Sequence, residues 1–153
     1  MPCINAGKGG LTTKQLLKTP YLVTLPNEPI QTILVYCGSN DILKGRKDIH
    51  TIYQNVVTNM DVFLSKMLEM YPMAHIRLIS VIQTPRLSLH PDRVKLMKSV
   101  NATWQRKYRT HHHIRFVNIN PYLSDPKCFL DDGIHLSDFG YSKIKIVSKG
   151  ITA

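Results

Sequence analysis

Apolar positions along the chain switch between two periods. Thr32 to Cys37 is a near-continuous run of β-branched and aliphatic residues, the pattern of a strand buried on both faces. Ile76 to Ile82 is a second run of the same kind, and Ile114 to Ile119 predicts a third strand. Between the first two, apolar side chains recur at Ile52, Tyr53, Val56, Met60, Phe63, Leu64, Met67, Leu68 and Tyr71. That i, i+3, i+4 spacing predicts one long helix from about His50 to Tyr71, closed by Pro72. A further helix runs from Pro91 or Asp92 to Arg109, with Val94, Met97, Val100, Trp104 and Tyr108 inward. A short helix from Thr12 to Lys18, stopped by Pro20, precedes the first strand, and a last helix spans Ser137 to about Ser148.

Strands alternating with helices build a parallel sheet covered by helices, because parallel neighbours need crossover connections. Ligands in such sheets bind beyond the carboxyl ends of the strands. With 153 residues, 43% of them hydrophobic and 20% charged, the chain fits one globular domain that needs neither disulfides nor a structural metal. Cys3, Cys37 and Cys128 are too few and too widely spaced for a disulfide framework or a zinc pattern; they read as reduced thiols, Cys37 packed at a strand end. The longest apolar stretch, Ile33 to Cys37, is far short of the roughly 20 residues that cross a bilayer. The start, Met1 to Gly10, lacks the apolar core of a signal peptide, so the chain as written is expected to be cytoplasmic.

Two clusters fall at strand ends. Gly38-Ser39-Asn40-Asp41 follows the first strand: a glycine permits a tight turn, and the Asn40 carboxamide is a neutral donor suited to a developing oxyanion. The same four residues also read as a plain turn capping the next helix. In Asp132-Gly133-Ile134-His135, a carboxylate and an imidazole three residues apart can double back on one another, so that Asp132 orients His135 as a general base. A turn leading into an N-capped helix is the alternative.

Taken together, Gly38 to Asp41 and Asp132 to Leu136, followed by Ser137 to Tyr141, resemble the third and fifth sequence blocks of the SGNH hydrolases, the GDSL-type esterase/lipase superfamily. Asn5 to Thr13 is similar to that family's second block, whose glycine matches Gly10 here. The resemblance implies a flavodoxin-like α/β/α three-layer sandwich with a parallel sheet, and hydrolysis of carboxylic esters by acyl transfer, with no metal and no cofactor. It also implies roles: His135 takes the nucleophile's proton, Asp132 orients the imidazole, and the Gly10 N–H with the Asn40 side chain forms the oxyanion hole. Gly38 and Asp41 support the turn. The implied partner is a small-molecule ester.

One block of the family pattern is missing. The nucleophilic serine belongs in a Gly-Asp-Ser turn after the first strand, and no Gly-Asp-Ser exists in this sequence. Ser39 lies within the oxyanion block, Ser80 inside a predicted strand, and Ser88, Ser137 and Ser142 lack a nucleophile turn. The chain is therefore expected to be an N-terminally truncated domain without its first strand, and to be inactive or incomplete as it stands.

Charge supplies the main rival reading. Against 10 Asp and Glu there are 20 Lys and Arg, a formal charge of +10, enough to attract polyanions. Arg93, Lys95, Lys98, Arg106, Lys107, Arg109 and Arg115 form a basic stripe without an acid between them, so nucleic-acid binding is an alternative, as is a catalytically dead ligand-binding module. The aromatics of that stripe point inward, unlike those of a base-stacking surface. His111-His112-His113 cannot share one helical face and reads as a polar loop rather than a metal site. Nothing in the sequence fixes the oligomeric state.

Overall fold

The computed structural model describes residues 11–18 and 31–152. In chain order these form α1 (Thr13–Leu17), β1 (Thr32–Val35), α2 (Ser39–Lys44), α3 (Ile49–Met70), β2 (His75–Ile79), α4 (Pro91–Tyr108), β3 (Ile114–Val117) and α5 (Asp138–Thr152). Short 3-10 turns cover Leu87–Leu89, Asn120–Tyr122 and Pro126–Cys128. The strands make one parallel sheet in the order β1-β2-β3, with Ile33 opposite Ile76 and Ile76 opposite Ile114.

Because side chains alternate across a strand, the register sorts residues into two faces. On one, Val35, Ile76, Leu78 and Ile114 pack against Val56, Met60, Phe63 and Leu64 of α3 and Met97, Val100 and Trp104 of α4. On the other, Ile79 and Val117 join Ile119, Leu123, Cys128 and Leu136, covered by Ile144 and Val147 of α5. Helices therefore lie on both faces, as the alternation of periods predicts. The fold is an open α/β sandwich.

The structure corrects the sequence reading at four places. Strand β1 is not buried on both faces: Leu34 is 51% exposed. The second apolar cluster gathers at Ile79 and Val117, near the carboxyl ends, and one pleat earlier that face carries Leu34 beside the register pair Arg77 and Arg115. Each strand is also shorter than its apolar run. Beyond Ile79, Ser80 Oγ accepts from the Ile119 N–H at 3.0 Å, and Val81 N–H donates to Asn101 Oδ1 at 2.8 Å. Side chains thus take over the hydrogen bonds that a ladder would otherwise make, and the run stays buried without staying a strand. Residues 39–44 are a helix, not only a turn, and α5 starts at Asp138 rather than Ser137.

Candidate active site

Parallel strands end on one edge. The Gly38 turn follows β1 and the Asp132 loop follows β3, so topology sets both clusters at the carboxyl edge of the same sheet.

Gly38 is the N-cap of α2 with φ +125°, a conformation that L side chains rarely adopt. A Cβ there would come within 3.3 Å of Val81 Cγ2 and 3.5 Å of Trp104 Cη2, so the turn lies hard against the core. Asn40 sits in the first turn of α2, half-buried, and its carboxamide makes no hydrogen bond among the described residues. Asp41 turns to α1 instead: its Oδ1 accepts from the Thr13 N–H at 2.8 Å and its Oδ2 from the Thr13 hydroxyl at 2.7 Å. Burial raises the Asp41 pKa, and the two bonds from Thr13 work against that rise. Cys37 Sγ donates to the Leu11 carbonyl at 3.5 Å, so α1 and its entry are fastened to the Gly38 turn from both sides. Burial, then the Asp41 charge, pushes the Cys37 thiol up to about 12, which keeps it protonated and unreactive. Gly10 lies outside the described residues.

The second cluster is a closed loop. Leu130 N–H donates to the His135 carbonyl at 2.8 Å and Ser137 N–H to the Cys128 carbonyl at 2.8 Å, pinching residues 130–135 into a hairpin. Gly133, at φ +68°, makes the bend, and its carbonyl accepts from the Arg86 N–H at 3.0 Å, tying the loop to the segment after β2. Within the bend Asp132 Oδ1 accepts from the N–H groups of Ile134 at 2.9 Å and His135 at 3.0 Å. Its Oδ2 lies 2.6 Å from His135 Nδ1.

The ring hydrogen bond from His135, followed by the two backbone ones, holds the Asp132 carboxyl well below the usual carboxylate range. An ionised carboxylate can only accept, so His135 Nδ1 carries the proton of this bond. The His135 side chain is 63% exposed. Desolvation raises the pKa of Tyr36, just before the Gly38 turn, and its hydrogen bond with Ser39 works against that rise.

Five of the described serines have their hydroxyls engaged elsewhere. Ser80 is buried and bonded to Ile119, Ser39 Oγ pairs with the Tyr36 hydroxyl at 2.9 Å, and Ser88 donates to the Thr84 carbonyl at 3.0 Å. Ser137 donates to the Lys127 carbonyl and Ser142 to that of Phe139. The histidine tract is structural: His111 Nδ1 accepts from the N–H groups of His113 and Ile114, and no group of metal-ligating side chains occurs among the described residues. No described helix is long and apolar enough to cross a membrane.

Two asparagines that the sequence reading missed support this edge. Asn101 Oδ1 and Nδ2 bond both the N–H and the carbonyl of Val81, while Asn120 donates to the same carbonyl and accepts from the Gln83 N–H. Asn101 carries a signal in hindsight, since it follows Val100 and stands four residues after Met97 on the inward side of α4, where a polar group needs a partner.

A chain from Streptococcus pneumonia described as a platelet activating factor superposes with TM-score 0.75 at 21% identity, over 94% of this chain and 69% of that one. An acetyl esterase, solved as a serine-to-alanine variant with acetate ion, does so with TM-score 0.68 at 14% identity, over 94% of this chain and 68% of that one. At such identities the likeness shows a shared fold. No match is found among curated protein sequences. The family model described as the GDSL-like Lipase/Acylhydrolase family matches residues 2–143, nearly the whole sequence and every block discussed above. This chain belongs to the GDSL-like lipase/acylhydrolase family.

Proposed function

We propose that the chain carries the base and oxyanion parts of a serine ester hydrolase acting on small carboxylic esters. The observation that carries this reading is the 2.6 Å contact between His135 Nδ1 and Asp132 Oδ2, which leaves Nε2 free to take a proton. His135 is the general base, Asp132 fixes its tautomer, and the unbonded Asn40 carboxamide, with the Gly10 N–H, stabilises the tetrahedral oxyanion. Neither step calls for a metal or an organic cofactor.

The nucleophile in this reading is a serine other than those of this sequence, in which no Gly-Asp-Ser turn occurs. Alone, the chain binds ester or carboxylate with little turnover. The test is hydrolysis of p-nitrophenyl acetate by the chain and by the chain fused to a strand ending in Gly-Asp-Ser. Turnover is expected only in the fusion, abolished by His135→Ala and reduced about 100-fold by Asn40→Ala. An unchanged rate in the His135 variant refutes the assignment of the base. If no fused serine confers turnover although ligand still binds, the domain is a binding module instead.

A further inference from the structure

Helices α3 and α4 leave between them an open groove of about 660 Å³ in which neither Asn40, Asp132 nor His135 takes part. Its floor is apolar, formed by Ile49, Tyr53 and the buried Leu96. Its rim carries His50, Lys95 and Arg106, and no carboxylate lines it.

Lys95 and Arg106 are eleven residues apart on α4, three helical turns, so they stand at the two ends of one stripe about 16 Å long. Of the other cations of the helix, Arg93 donates to the Ile42 carbonyl at 3.2 Å and Lys107 pairs with Asp61 at 3.2 Å, while Lys98 is unpaired among the described residues but does not line the groove. Lys95 and Arg106 have no ion pair among the described residues. An apolar floor with unpaired cations at its rim complements a ligand that is apolar along its length and anionic at an end. A nucleic-acid strand fits less well, because His50 and Tyr53 are the two rings lining the groove and the Tyr53 hydroxyl is tied to Thr103 at 2.6 Å, which is a short platform for successive bases.

We infer that the α3/α4 groove binds a single-chain alkyl carboxylate, its hydrocarbon along Ile49, Tyr53 and Leu96 and its head group at Lys95 or Arg106. The test is titration calorimetry of the full chain with decanoate, with acetate and decanol as the head-only and chain-only controls. Decanoate is expected to bind at one site, and each control at least about tenfold more weakly. Reversing the charges with Lys95→Glu and Arg106→Glu should weaken decanoate by about tenfold or more and leave decanol unchanged. Ala102→Trp, an exposed change on α4 that fills the groove, should block decanoate while the helical circular dichroism stays unchanged.

Three results overturn the inference. One is acetate binding as tightly as decanoate. Another is decanoate binding that survives both changes, or that disappears with His135→Ala and so belongs to the strand-end crevice. The third is displacement of decanoate by a thymidine oligonucleotide, which would mark the helix as a polyanion surface.

Discussion

Asp41 holds Thr13 twice, through the backbone N–H at 2.8 Å and the hydroxyl at 2.7 Å, across 28 residues of sequence. Thr13 is fully buried, and its hydroxyl also accepts from Asn59 Nδ2 at 3.2 Å, so losing Asp41 strands polar groups that water cannot reach. Asp41→Ala should lower unfolding stability by about 2–3 kcal/mol, and Asp41→Asn by less, measured by urea titration. An unchanged midpoint for Asp41→Ala would mean that α1 is not fastened to the Gly38 turn by this carboxylate.

Gly38 combines a positive φ with contact against Val81 and Trp104. Gly38→Ala should therefore cost about 1–3 kcal/mol by thermal unfolding, more than an exposed glycine in a loop. The change should also shift the amide resonance of Asn40, because the cap sets the direction of α2.

Asn101 satisfies both backbone groups of Val81 at the point where β2 leaves the sheet. Asn101→Ala should destabilise the fold by about 1–3 kcal/mol, and amide exchange should rise first at Val81.

Asp132 gives a pH dependence of definite sign. Its folded pKa is depressed by the His135 bonds, so its contribution to stability is present above the ordinary aspartate value of about 3.9 and is lost as pH falls toward the folded value. The melting difference between the protein and Asp132→Asn should shrink steadily below about pH 4. Exposure keeps the difference small. A difference that grows in acid would reverse the assignment.

Long periodic elements were legible from the sequence because their signal is repeated: nine apolar positions announce α3, and its observed span, Ile49–Met70, differs from the expectation by one residue at each end. The Asp132-to-His135 pairing was legible too, since a three-residue spacing around a glycine leaves few other geometries. Strand ends were not. Apolar character continues through Val81 and Ile82, which are buried, and only the long-range bonds from Asn101 and Asn120 show that the ladder has stopped. The exposure of Leu34 escaped for a related reason, because a run of apolar residues says what could be buried and not which helix arrives to cover it. Asp41 was placed as a local turn residue, whereas its partner lies on α1.

On the proposed mechanism the His135 imidazole and the Asn40 carboxamide serve one crevice. The most direct measurement follows the ring nitrogens of His135 and the side-chain amide of Asn40 by nitrogen-resolved NMR while acetate is added. Both signals should move along a single binding curve, and Asn40→Ala should weaken the response at His135. If the two move with different midpoints, or if only one moves, they face different places and the hydrolase mechanism assigned to them is wrong.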